Sequence, residues 1–580
     1  MIFLLSFIVA CGQNSESGKA PAEESGSLSA ADYEALPTLT VEYPERGSFD
    51  NNGSGQVRGK VSSDNDGLNS ITINGESFPV DSTGRFAADM EWRPGIQILG
   101  TRAEAENGER AVDGRAFYTG PIHEPASWIA SAIRMEVDSE ILDDDDSEPD
   151  DVAGLIELAL NDGTLLEPVI GDPIDLDTAV LTPTVFTFAD AHIDLVPDEG
   201  AIDAVISLEG LEIACDVEAI GLVSTSGTAS ADRLDASVRM TVTSSGGDVR
   251  AETSDVTVWV TNLEYDISGI PDPLETMVAG WVDGLVENAI EDAIKDVMAT
   301  YVENALEALA VGTTFSDNLG MDLRLSGLEV LSRGVRFEVD AKIEAVNGLD
   351  LPPGAGSMLT VGEPPPWPSQ ADQPLWAAVD DDLLNQLGLA FWQTGYVNQI
   401  ELDPVLLGGL TGGPIPPPLG PIESVAMSLN LPPTIEPSKE EDWSAQIALG
   451  EWLIEFVRED GEVLEFSVSF RSNVQVDIEE DGQISLDVDA RPSMIEQAIG
   501  VLRSPDALDP GDLSALIRLL VPPLLGNASS FAPEVPVPVI PLDEFIETPS
   551  TEGRELVAED PTIQVNQEGW LVLKSGLKIR

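Results

Sequence analysis

The sequence predicts an α+β chain in which a small all-β module precedes two successive rounds of long strands and amphipathic helix. Three observations carry this expectation. Period-two alternation of apolar residues dominates most of the chain, it switches abruptly to a period near 3.6 over Pro271–Ala310, and a second switch follows at "DPGDLSALIRLLVPPLLGN" (509–527). With 580 residues, 42% of them hydrophobic, the chain can build several cores. Its 28 basic and 104 acidic residues give a net charge of -76, which repels nucleic-acid phosphates and anionic headgroups, so nucleic-acid binding is excluded as a leading function.

The first segment, "MIFLLSFIVACGQNSES", opens with an apolar run too short to span a bilayer and ends in small residues before Cys11. Ile8-Val9-Ala10-Cys11 resembles a bacterial lipobox, which implies a signal peptide at 1–10 and Cys11 as the acylated first residue of the mature protein. Multiple acyl chains anchor stably at about 0.8 kcal/mol per buried methylene. The run departs from that pattern in having no Lys or Arg before it. Gly12 after the cysteine is compatible with outer-membrane sorting in such lipoproteins. Residues 11–37, rich in Gly, Ser, Glu and Ala, read as a tether.

Residues 38–121 carry short alternating runs, Val57/Val61, Ile71/Ile73, Phe86/Ala88/Met90 and Ile96/Ile98, separated by turns such as Asn74-Gly75. That is the pattern of a small antiparallel sandwich, and its order is similar to bacterial Ig-like modules. "SDNDG" (63–67) lacks the ligand ladder of a calcium loop and reads as a turn. Past residue 122, the acidic run "ILDDDDSEPDD" reads as a solvated loop that leads into the helix "DVAGLIELALND", whose start Asp150 and Asp151 suit through the helix dipole. Long strands are expected around Ile206/Leu208, Leu234–Val242 and Val256–Val260, before the helix over 271–310. Cys215, within an alternating strand, reads as an inert core thiol. "GVRFEVDAKIEA" restores strand periodicity, and the plan then repeats through Leu464–Phe470 and Ile484–Val488 to the closing "LVLKSGLKI".

Four segments, the helix from Leu274, "AAVDDDLLNQLGLAFWQTG", "VAMSLNLPPTIEPS" and "LLVPPLLGN…VPVPVIPL…LVLKSGL", together resemble the tubular lipid-binding (TULIP) superfamily, in its two-barrel branch with bactericidal/permeability-increasing protein. The resemblance spans roughly residues 122–580. It implies elongated tandem barrels, each a curved antiparallel sheet wrapped on a long helix, joined by a central sheet: a first barrel at 122–320, central sheet and connector at 321–403, and a second barrel with closing strands at 404–580. It also implies a lipid or other hydrophobic ligand in apolar tunnels, bound and transferred, with no cofactor. Leu155, Leu274, Val278, Trp281, Val282 and Leu285 in the first barrel, and Leu513, Leu516, Leu519 and Leu520 in the second, are the expected lining; each can also serve as plain core. The chain departs from the animal members in lacking a basic tip and a disulfide partner for Cys215.

Enzyme chemistry has little raw material. Only His123 and His192 are present, and no nucleophile elbow, phosphate loop or dinucleotide fingerprint occurs. The expectation is a non-enzymatic envelope lipoprotein of a Gram-negative-type bacterium, held to the outer membrane by its lipid anchor and free of nucleic acid and metal. The alternative is a structural or adhesive surface lipoprotein whose Ig-like module makes the contact. Asp380, Asp381 and Asp382, between a strand and an apolar helical run, then read as a helix cap and hinge rather than a catalytic or metal-binding cluster.

Overall fold

The computed structural model describes residues 38–50, 55–62, 68–105, 110–144, 151–161, 174–175, 179–219, 225–245, 247–267, 299–300, 302–303, 319–360, 362–368, 373–395, 400–402, 421–438, 443–478, 483–489, 491, 496–503, 535–536, 540–541, 555–565 and 569–579. Among these the chain is mostly β-sheet, with only three helices that run to a full turn or more.

The N-terminal module contains β1 (Thr38–Tyr43), β2 (Phe49–Asp50), β3 (Gln56–Ser62), β4 (Leu68–Ile73), β5 (Glu76–Pro79), β6 (Arg85–Asp89), β7 (Gly95–Ala105) and β8 (Arg110–Thr119). They form two sheets, ordered β1-β3-β6 and β2-β8-β7-β4-β5. One core joins them: Val57, Val61 and Phe86 from the first sheet pack with Ile71, Leu99 and Phe117 from the second. The alternation in β3 and β6 explains this, since every second residue faces that core.

A short β9 (Ile122–His123) leads to β10 (Ile129–Asp138), α1 (Ser139–Leu142) and α2 (Val152–Asn161). Then come β11 (Ile174–Asp175), β12 (Ala179–Thr187), β13 (Asp190–Asp198), β14 (Ala201–Ala219), β15 (Thr225–Ser245), β16 (Asp248–Thr261) and β17 (Glu264–Ile267), a seven-stranded antiparallel sheet with path β11-β12-β14-β15-β16. β14 and β15 are 19 and 21 residues long, several times the usual strand. The helix expected over 271–310 lies almost wholly outside the described residues; within it the backbone is helical at 299–300 and 302–303, and Val302 is buried in the same core as β14 and β15.

β18 (Leu319–Leu331), β19 (Gly334–Ala345), β20 (Ser357–Met358), β21 (Leu375–Asp380) and α3 (Asp381–Gln393) follow. The last part of the chain supplies β22 (Ile400–Leu402), β23 (Ile422–Leu429), β24 (Thr434–Pro437), β25 (Ala445–Arg458), β26 (Val463–Ile478), β27 (Gln483–Val488), β28 (Glu496–Arg503), β29 (Val535–Pro536), β30 (Ile540–Pro541), β31 (Glu555–Val565) and β32 (Trp570–Ile579). β22 to β29 make an eight-stranded sheet, whereas a seven-stranded central sheet runs β18-β19-β10-β21-β32-β31-β30. The central sheet therefore draws strands from well outside 321–403, including β10 near its start and β32 at its end. The expected second-half helix at 509–527 lies outside the described residues.

The N-terminal module packs directly against the second half. Ile96, Ile98, Ala116 and Tyr118, on its larger sheet, share a core with Leu431, Ala448 and Ala498 of the second half. Gly114 and Gly500 permit the close approach: a Cβ on Gly114 would fall 2.3 Å from the Ile499 backbone nitrogen, and one on Gly500 2.4 Å from the Gly114 carbonyl oxygen. At this interface the Glu451 side chain, 0% exposed, accepts hydrogen bonds from Arg46 Nη1 at 3.1 Å, from Ser467 Oγ at 2.8 Å and from the Ala116 N–H at 2.5 Å. Burial pushes its carboxyl above the usual range, and Arg46 opposes that rise. Arg46→Ala should destabilise the protein by about 3 kcal/mol, because it leaves a buried carboxylate without its cation. Glu451→Gln, which keeps an acceptor, should cost less; urea denaturation of both variants checks the order.

Candidate functional site: an apolar sheet interior and the acidic hinge

The inner face of the long-stranded sheet is apolar along its length. Ile202, Ala204, Ile206 and Leu208 on β14 lie opposite Met240, Val238, Ala236 and Leu234 on β15, residue for residue, and all eight are buried. The outer face alternates with them and carries Asp203, Arg239, Asp235 and Ser254. One strand pair thus presents an apolar wall tens of ångströms long, at about 3.4 Å per residue.

α2 closes one edge of this wall for an identifiable reason. β13 pairs with β14 on one side only, which leaves alternate N–H groups on its other side without a strand partner. Side chains from the two short helices and their junction fill the role: Ala191 N–H donates to Asn161 Oδ1 at 3.0 Å, Ile193 N–H to Glu157 Oε1 at 2.6 Å, and Leu195 N–H to Asp143 Oδ2 at 2.7 Å. The helix is fixed by its polar face while Val152, Leu155, Ile156 and Leu160, at three-four spacing, enter the apolar core. Asp151 holds the helix start, accepting from the Gly154 N–H at 2.6 Å and the Asp144 N–H at 2.8 Å. Of the two acids suggested by sequence for this start, Asp151 does the capping; Asp150 lies outside the described residues.

Among the ten expected lining residues, only Leu155 falls within the described set, and it is 4% exposed in the first core. Leu274, Val278, Trp281, Val282, Leu285, Leu513, Leu516, Leu519 and Leu520, together with Cys11, lie outside it. The Cys215 side chain also lies outside it, although its backbone pairs with Gly227 within the long sheet. The edge-capping side chains Asn161, Glu157 and Asp143 escaped sequence reasoning. For Glu157 and Asn161 a signal was present, as polar positions four residues apart on an otherwise apolar helix, but the strand whose N–H groups they accept from was not identifiable, and Asp143, just past α1, carried no such signal.

The hinge between the halves carries the three aspartates. β21 ends at Asp380, whose Oδ1 accepts from the Asp382 N–H at 3.0 Å and caps α3, as expected of Asp380 or Asp381. Leu383, Leu387 and Phe391 then enter the second core, beside Phe456, Phe466 and Phe470, and Leu384 is also buried. Asp381 and Asp382 are not a solvated turn: they are 4% and 5% exposed. Asp382 meets His123 Nε2 at 2.9 Å and accepts from the Thr360 N–H at 2.6 Å, while Asp381 Oδ1 accepts from Thr360 Oγ at 2.5 Å. Burial pushes Asp381 up to about 9, and the charges of Asp380 and Asp382 add to the rise. His192, the other histidine, is half-exposed and bonds to Glu157 and Asp194.

No family model matches the chain, and no curated protein matches it. Among solved structures it is similar to lipopolysaccharide binding protein, with 11% identity over 78% of this chain and 99% of that one at a TM-score of 0.40. It is also similar to P47 of Clostridium botulinum E1, with 6% identity over 77% of this chain and 99% of that one at a TM-score of 0.24. A likeness to CopC from Methylosinus trichosporium OB3b covers 15% of this chain and 97% of that one, with 15% identity and a TM-score of 0.13. Scores this low carry no argument about function, and no family is assigned from them.

The α1–α2 corner supplies a pH dependence. Burial pushes Asp151 up to about 7 and Asp138 up to about 6 from 3.8. The native corner therefore keeps protons that the unfolded chain has released, so its contribution is complete below about pH 4 and is lost as pH rises through about 7. Asp151→Asn, which cannot ionise, should gain stability relative to the parent as pH rises from about 4.5 to 7.5. Paired thermal melts at the two pH values check the sign.

Proposed function

We propose that this protein binds, and transfers, a lipid or another hydrophobic ligand within apolar interiors of its two halves, foremost the long-stranded first half. It is proposed to work as a lipoprotein anchored through acylated Cys11 to the outer membrane of a Gram-negative-type bacterium, without covalent chemistry on its ligand. The observation that carries the proposal is the paired apolar face of β14 and β15, far longer than the core of an ordinary sandwich requires. The thermodynamic benefit of such a wall is direct. Carrying a sixteen-carbon chain through water costs on the order of 12 kcal/mol at about 0.8 kcal/mol per methylene, and a dry apolar groove removes most of that. The net charge of -76 leaves anionic headgroups poorly accommodated, which favours ligands recognised by their apolar part.

A second function, structural or adhesive support at the cell surface, is favoured by one observation in the second half. There α3 and the strand aromatics fill the core themselves: Phe391 and Trp392 pack with Phe456, Phe466 and Phe470, and Trp392 Nε1 donates to the Leu429 carbonyl at 2.5 Å.

Organic extraction of the purified protein should release co-purifying phospholipid, fatty acid or a comparable hydrophobic molecule detectable by mass spectrometry. A fluorescent fatty-acid probe should bind saturably, and Leu155→Trp, which fills the first interior, should reduce that binding several-fold at unchanged circular dichroism. An empty extract with no saturable probe binding rejects lipid carriage and leaves the structural function. Cys11→Ser should move the protein from the membrane fraction to the soluble fraction and abolish globomycin-sensitive processing.

A further inference from the structure

The hinge aspartates crowd three carboxyl groups together with little cationic company. Asp380, Asp381 and Asp382 each offer a carboxylate oxygen, and the three atoms lie within 4.8 Å of one another. Among the described residues no lysine or arginine pairs with any of them; the one ion-pair partner is His123, on Asp382. Asp381 Oδ2 is buried without a hydrogen-bond partner. Gly569, at φ +97°, makes room for that carboxylate, since a Cβ there would stand 2.8 Å from Asp381 Oδ1, and its carbonyl accepts from the Asp381 N–H at 2.9 Å.

An independent observation comes from a different strand. Ser357 is 2% exposed, and its Oγ has no partner. It stands directly opposite His123 in the antiparallel β9–β20 ladder. Directly opposed residues send their side chains to the same face of a ladder. From that face His123 reaches Asp382, so the unpartnered hydroxyl is directed to the side where the carboxylates converge.

We propose that Asp380, Asp381 and Asp382, with Ser357 Oγ completing the set, form a binding site for a divalent cation of the calcium type. Carboxylate and hydroxyl oxygens are hard ligands, and oxygens within 4.8 Å of one another can share an ion held at calcium's usual 2.3–2.6 Å. Zinc is the poorer fit, since it favours nitrogen and sulfur in a tetrahedron, and the site's one imidazole already bonds Asp382. The ion joins segments distant in sequence: the β21–α3 junction, the β9–β20 ladder that follows the N-terminal module, and, through Asp381, the turn before β32 at Gly569. It is thus a brace at the joint between the halves, whatever ligand their interiors carry.

The test uses the full chain, stripped by chelator and titrated with calcium chloride in about 0.5 M KCl, which screens the acidic surface. Calorimetry should show one saturable site, and the melting temperature should rise with calcium concentration. Asp381→Asn should keep the native circular dichroism and weaken binding by about tenfold or more, and Ser357→Ala should weaken it several-fold. Terbium provides a second readout. Trp570 pairs with Asp380 across the β21–β32 ladder and is placed to sensitise bound terbium, so Trp570→Phe should quench the emission while the calcium-induced thermal shift persists. Absence of saturable binding up to millimolar calcium overturns the proposal, as does binding that survives Asp381→Asn unchanged, which would assign the effect to the acidic surface.

Discussion

The molecule depends on the ladder that places β10 between β19 and β21, with β32 on the far side of β21. It joins residues 129–138, 334–345, 375–380 and 570–579 in one sheet. Residues 139–333 and 381–569 intervene between these segments, so the loop-closure entropy of assembling them must be recovered by the packing that the sheet permits. β19 shows how it does so. Val335, Phe337 and Val339 belong to the first core, whereas Ala341 and Ile343 belong to the second. β10 crosses the same boundary, with Val137 in the first core and Ile129 and Ala132 in the second. A single continuous strand serves both halves, and neither core is complete without it.

Charge imposes the second constraint. With 28 cations for 104 acids, most carboxylates have to remain in water, and those that are buried compete for arginine. Glu136, 2% exposed in the central sheet, takes two: Arg333 at 2.7 Å and Arg336 at 2.8 Å. Asp340 is paired with Arg324, and Glu451 with Arg46. Asp151 and Asp381 have no such partner among the described residues, and both are pushed upward by burial. The distinction separates structural acids, each neutralised by an arginine where it sits, from acids that burial without a cation favours in the protonated form. The latter lie at the start of α2, beside the first apolar wall, and at the hinge.

The N-terminal module takes part in the same scheme. Its larger sheet is buried on both faces, by its own smaller sheet on one and by the second half on the other. Arg471, itself buried, donates to the Ile96 carbonyl at 2.5 Å and joins Glu496 at the same interface. The module therefore contributes to the stability of the second half and restrains its orientation.

Sequence alone determined which residues face inward. Period two along β14, β15 and β19, and three-four spacing along α2, follow from local backbone geometry, so they can be read in windows of a dozen residues; α3 escapes this rule, since Asp381, Asp382, Asn385 and Gln386 are buried along with its leucines. The cap at Asp380 is local for the same reason. Pairing partners were decided only in the tertiary structure. That β10 sits beside β21, that Asn161, Glu157 and Asp143 cap the edge of β13, and that His123 reaches Asp382 from far earlier in the chain are outcomes of long-range packing. Periodicity names the buried face of a strand, but it does not say what lies against it, because that energy comes from residues the local pattern does not contain.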